Sequence, residues 1–142
     1  MKKWCVILVL LLAGCAPEKA VDLQKDWGLL QPMLPEMLLL SQQQQQALCG
    51  INPADCKKTE VYLCADSLRA DEVWLVEAAD EGALERLEQA ARQRLQQKKS
   101  ETVLYSPQQY AVVQGAKILI RGNTLVLLVS PEAARMEKAL LD

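Results

Sequence analysis

Glu72-Val73-Trp74-Leu75-Val76-Glu77-Ala78, followed by Asp80 and then by Glu81-Gly82-Ala83-Leu84-Glu85-Arg86-Leu87-Glu88-Gln89-Ala90-Ala91, is the stretch on which the fold turns. Its first seven residues, rich in valine, leucine and tryptophan, predict a strand. Asp80 then caps a helix expected over Glu81 to Lys99, in which Leu84, Leu87, Ala91 and Leu95 recur at the helical period while Glu85, Glu88 and Arg92 face water. Acidic residues come first and Lys98-Lys99 last, an order that suits the helix dipole. Upstream, Thr59 to Ala65 reads as a second strand joined through Asp66 to Asp71, so the two should pair antiparallel.

Further out, Ser106-Pro107 is an N-cap followed by proline at the first helical position and opens a short helix to about Gln114. Lys117 to Arg121 and Thr124 to Ser130 flank Gly122-Asn123, a two-residue hairpin signal. Ile118 and Ile120 should point one way, and Lys117 and Arg121 toward a wet face. Pro131 opens a terminal helix with Ala133, Met136 and Leu140 on its apolar side. The order strand-strand-helix-strand-strand-helix predicts an α+β fold: a four-stranded, mainly antiparallel sheet with the long amphipathic helix on one face. On the N-terminal side, Val21 to Leu30 is expected as a short helix, and Met33 to Leu40 as an extended apolar crossing between prolines and the next helix. Ser41 caps that helix, which carries five glutamines and ends at Gly50; Asn52-Pro53-Ala54-Asp55 makes a turn.

The chain begins with Met1-Lys2-Lys3, an uncharged apolar run from Trp4, and Leu12-Ala13-Gly14-Cys15. This reads as a lipobox: small residues at Ala13 and Gly14 admit a lipoprotein signal peptidase, and the Cys15 sulfur takes a diacylglyceryl group. Residues 1–14 are then a lipoprotein signal peptide, 15–26 the lipidated cysteine and tether, and 27–142 a single α+β domain. Two acyl chains of the palmitate type, at about 0.8 kcal/mol per buried methylene, suffice to anchor a protein. Removing 14 of 142 residues leaves 128, enough for one core, and losing Lys2 and Lys3 takes the formal charge from −2 to −4. That acidic balance argues against nucleic acid. The expected location is the extracytoplasmic face of the cell membrane.

The sequence has no histidine, which removes imidazole bases, Ser-His-Asp and Cys-His chemistry and the commonest zinc ligand. Three thiols remain beyond the anchor. A bridge between Cys49 and Cys56 would close an eight-residue loop for roughly 2.5 kcal/mol, with Cys56 to Cys64 or three free thiols as alternatives. Their spacing fits no zinc pattern, no Cys-x-x-Cys pair is present, and neither metal nor cofactor is implied. Asp66, Asp71, Glu72 and Glu77 gather near the first hairpin, where solvated edge carboxylates are the simpler reading. Tyr62 and Trp74 are candidates for a binding patch on an outer sheet face.

The lipobox, the Leu48-Cys49-Gly50-Ile51-Asn52-Pro53-Ala54-Asp55 turn, Ala70-Asp71-Glu72-Val73, the helix from Glu81 and Gly122-Asn123 together resemble a family of small bacterial lipoproteins. It is the family of the domain of unknown function numbered four-three-five-eight, and the resemblance covers about Trp27 to Leu140. It implies a membrane-tethered, extracytoplasmic protein and brings no activity with it. Cys49 and Cys56 depart from the aromatic and apolar residues usual there. The reading is a non-enzymatic binding or accessory domain whose partner is a protein or cell-wall component, met through an open sheet face or edge strand. The alternative is an accessory enzyme using Cys49, Cys56 or the acidic hairpin.

Overall fold

The structure, a computed structural model, describes residues 21–142. The lipobox residues Leu12, Ala13, Gly14 and Cys15, and the signal peptide they end, lie outside the described residues. Asp22 acts as a cap: its carboxylate accepts from the backbone N–H of Gln24 and Lys25, and helix α1 runs Leu23–Leu30. The tether expected over 15–26 is thus already helix from Leu23, whose side chain is buried.

After a 3-10 turn at Gln31–Met33 come β1 (Met37–Leu39), α2 (Gln42–Cys49), a second 3-10 turn at Pro53–Asp55, β2 (Cys56–Cys64) and β3 (Glu72–Ala78). Then follow α3 (Glu81–Tyr105), α4 (Pro107–Gln114), β4 (Lys117–Arg121), β5 (Thr124–Val129) and α5 (Ala133–Leu141). The sheet has five strands in the order β1-β2-β3-β5-β4, every pair antiparallel. The expectation of four strands is corrected by β1. Met37 pairs with Cys64 and Leu39 with Tyr62, and the ladder is closed by Leu40 N–H to the Val61 carbonyl at 2.8 Å and Ala65 N–H to Glu36 at 2.9 Å. Three residues are too few to display a period of two, and the prolines nearby made the segment look like a connector.

Local signals account for most boundaries. Ser41 and Gln44 form a reciprocal capping box on α2, and Gly50 ends it at φ +67°, a left-handed position that glycine occupies without strain. Gly122 has φ +58° while, among the described residues, no non-glycine φ is positive, so the β4–β5 turn takes its positive φ at the first central residue alone, the type II′ pattern. Asp80 caps α3 by accepting from Ala83 N–H at 2.7 Å, and Arg86 ties that end to the Asp55 carboxylate at 2.8 Å.

The sheet is covered on both faces, against the expectation of one wet face. On one side Trp74, Val76, Ala78, Leu125 and Leu127 pack with Ala83, Leu87 and Ala91 of α3, Cys49 of α2 and Val113 of α4. On the other, Val73, Leu75, Val126 and Leu128 pack with Leu23 and Leu30 of α1 and Ala133, Met136 and Leu140 of α5. The physical reason is legible in β5: Thr124-Leu125-Val126-Leu127-Leu128-Val129 does not alternate, and all six residues are buried, as a strand sandwiched between helices requires. Arg121, expected in water, is paired with Asp26 of α1. Among the described residues no helix is long and apolar enough to cross a membrane.

Candidate functional site

α3 is six residues longer than its apolar period suggests. Its buried positions are Ala83, Leu87, Ala91, Arg94, Lys98 and Thr102, spaced by four or three throughout. The stripe therefore continues into charged residues without leaving the core face. Because α3 runs back along β3, these polar positions arrive at the strand's first residue, Glu72, which shares its face with Trp74.

Glu72 is fully buried, with Arg94 and Lys98 9% and 6% exposed. Arg94 donates from Nε to Oε1 at 3.0 Å and from Nη2 to Oε2 at 2.9 Å; Lys98 Nζ lies 2.9 Å from Oε2 and donates to the Ala70 carbonyl at 3.0 Å. Trp74 Nε1 donates to Oε1 at 2.7 Å, and the Cys49 thiol donates to the same oxygen at 3.7 Å. Burial works to raise the Glu72 carboxyl, but the Lys98 charge and the hydrogen bonds and charge of Arg94 hold it below the ordinary carboxylate range. Burial works to lower Arg94, and the Glu72 partnership more than reverses it.

Beside the trio opens a cleft of about 360 Å3 between α3, the β2–β3 connection and β1. Arg94, Lys98, Cys64 and Thr102 contribute to its walls, and Leu38 and Tyr105 to its rim. A shallower depression adjoins it over Ser67, Leu68, Glu101, Leu104 and Tyr105. Four large apolar side chains from three separate segments stay exposed along these two hollows: Leu38 at 52%, Leu68 at 71%, Leu104 at 87% and Tyr105 at 54%. The corner is braced by the Gln109 side chain of α4, which accepts from Ala70 N–H at 2.8 Å.

The residues singled out in the sequence fall elsewhere. Tyr62 and Trp74 form no joint patch. Tyr62 lies 8% exposed on the α1 side, its ring stacked on Trp27 at 3.5 Å, whereas Trp74 is fully buried on the α3 side. Each shares its face with the residue it pairs with, Tyr62 with Val73 and Trp74 with Val61, and period-two alternation along the strands puts the two pairs on opposite faces. Cys49, Cys56 and Cys64 are free thiols, so the bridge expected between Cys49 and Cys56 is absent: Cys49 turns to Glu72 and Cys56 to the Asn52 carbonyl. Burial, then the nearby Glu72 charge, pushes the Cys49 thiol up to about 12, and burial beside Asp55 pushes Cys56 up to about 11. Such thiols stay protonated and weakly nucleophilic at neutral pH.

The acidic hairpin is solvated only in part: Asp66 stays exposed and Glu77 half-buried, but the other two carboxylates are withdrawn from water. Asp71 is 1% exposed and held by Arg69 at 3.0 Å, Glu72 belongs to the buried trio, and Asp66 accepts from Leu68 N–H within the turn. Among the described residues no group of three or more potential ligands is placed to hold a metal ion. Arg94 and Lys98 are site residues that the sequence reading missed, Lys98 entering it only as a charge that suits the helix dipole. The available signal was their place on the Leu87-Ala91 stripe.

A family model described as Domain of unknown function (DUF4358) matches residues 32–130. No curated protein and no solved structure matches the chain.

Proposed function

The chain belongs to this family of unknown function, and from that premise we propose that it is a lipid-anchored, non-enzymatic binding module on the outer face of the cell membrane. The Leu12-Ala13-Gly14-Cys15 sequence supports the anchor. The binding part rests on one observation: four large apolar side chains stay more than half exposed along two adjoining hollows, Leu38 and Tyr105 at the cleft and Leu68, Leu104 and Tyr105 at the depression beside it. Scattered exposed leucines are ordinary, but a cluster drawn from three segments marks an interaction surface. With both sheet faces covered, this corner takes the place of the open face as the docking surface. The raised thiols of Cys49 and Cys56 and the pairing of Asp71 and Glu72 weigh against the enzymatic alternative.

Two measurements test the reading. Metabolic labelling with a palmitate analogue should mark the parent and not Cys15→Ser, and equal labelling of both removes the anchor. Crosslinking in intact cells should then capture a specific protein or cell-wall component, lost in Leu68→Asp combined with Leu104→Asp. A capture pattern unchanged by those charges places binding elsewhere and refutes the assignment to this corner.

A further inference from the structure

Building on the cleft as the binding surface, we infer that its ligand is a singly charged carboxylate bearing a short apolar arm. The carboxylate sits against Arg94 and Lys98, and the arm against Tyr105, Leu104 and Leu68. Charge is the first support. Arg94 and Lys98 are both at least nine-tenths buried and share one carboxylate, while the Cys49 thiol beside it is uncharged, so the buried set carries one more positive charge than negative. Buried charge is costly unless matched, and both cations line the cleft.

Hydrogen-bond capacity is the second. Lys98 has three N–H donors and uses two, on Glu72 and on the Ala70 carbonyl. Arg94 has five and uses three, on Glu72 through Nε and Nη2 and on Gln97 through Nη1. Donors are left over for a carboxylate, the partner to which ammonium and guanidinium bind best. The third is the apolar border: Leu38 and Tyr105 line the cleft, and Tyr105, Leu104 and Leu68 line the depression that adjoins it. One wall residue sets the charge limit. Glu101 faces the same cleft, exposed and bonded by Gln97 Nε2, and repels a second negative charge on the ligand; Asp71 is already neutralised by Arg69.

A free short-chain acid and the C-terminus of an apolar peptide both offer this chemistry, and the test separates them. The full-length chain in detergent at neutral pH is titrated with hexanoate, hexanol, adipate, trileucine and trileucine amide. The readout is the Trp74 indole N–H resonance, because Trp74 Nε1 donates to the carboxylate that Arg94 and Lys98 hold. Hexanoate should shift it saturably, with hexanol and adipate at least about tenfold weaker, the equivalent of one 1.4 kcal/mol contact. Leu104→Asp, at an 87% exposed position, should keep the parent Tm and lose about tenfold in hexanoate affinity, the same increment. Trileucine binding tighter than hexanoate and than its amide assigns the site to a peptide end, and the reverse order assigns it to a free acid; both support the carboxylate. Hexanol matching hexanoate, or no saturable shift with any acid, overturns the inference. The crosslinking partner lost on charging Leu68 and Leu104 is unaffected by that result and judges the docking surface separately.

Discussion

Glu72→Gln removes one charge from the buried trio and almost nothing else. The amide has the shape of the carboxylate, and its oxygen still accepts from Trp74 Nε1. Arg94 and Lys98, 9% and 6% exposed, lose the one anion that, among the described residues, both contact. Stranding a buried ion-pair partner costs about 3–5 kcal/mol, against total stabilities of about 5–15 kcal/mol for natural domains. At about 4 °C per kcal/mol for a chain of this size, the thermal midpoint should fall by about 12–20 °C. Circular dichroism melts and urea titrations at neutral pH measure it. A companion separates charge from packing: Glu72→Gln with Arg94→Leu and Lys98→Met removes the stranded cations and keeps the Trp74 acceptor. It should recover to within about 2 kcal/mol of the parent, since replacing a whole buried ionic set by apolar residues is often neutral. A Glu72→Gln protein within 1 kcal/mol of the parent refutes the buried charge cluster, and a triple variant as unstable as the single one shows that packing rather than charge was lost.

Acid should act through the same carboxylate. Its folded value lies below the ordinary range, so its stabilisation is complete above about pH 4.3, where the unfolded carboxyl titrates, and is lost as the pH falls through the folded value. Melts from neutral pH to pH 3 should therefore decline more for the parent than for Glu72→Gln. At the other extreme, Cys49 is raised to about 12, so its contribution is full below the unfolded thiol's range and is lost as the pH rises from there toward 12. Cys49→Ala should flatten the alkaline arm of the stability profile, and a thiol reagent at mild pH should modify Cys49 rapidly only after unfolding. Gly122→Val forces a β-branched side chain to φ +58° and should destabilise the fold by about 1–3 kcal/mol in urea, with no effect on hexanoate binding.

The parts of the fold that were legible in the sequence are those set by neighbours in the chain. Ser41, Gly50, Asp80, Ser106 and Gly122 act within a few residues of themselves, and each does in the structure what its residue type favours. β1 was missed because its partner β2 begins 19 residues after its first residue, and nothing within Met37–Leu39 announces that pairing. The charged trio was missed for the same reason: Glu72 lies 22 residues from Arg94, and a charge becomes a core residue only through a partner the sequence does not mark. Tyr62 and Trp74 show the converse error. Their exposure was read from residue type, whereas α1 and α3 decide it by covering one ring each.

The lengths of two elements explain why the polar half of α3 and the cleft occur together. Twenty-five helical residues span about 37 Å, while the seven of β3 span about 23 Å. Ala83, Leu87 and Ala91 use up the apolar strand surface, and at Glu72 the strand ends. A stripe that stayed hydrophobic beyond that point would face a loop. Arg94 and Lys98 instead turn the strand's end into an ionic anchor, and Thr102 satisfies itself on the Lys98 carbonyl at 2.7 Å. The overhanging turns are then steadied from the other side by α4, through Gln109 and Ala70. What remains between helix, loop and edge strand is an unfilled angle, and folding alone would be served as well by polar residues around it. Leu68 and Leu104 stay 71% and 87% exposed, so most of their apolar surface answers to something outside the folded domain.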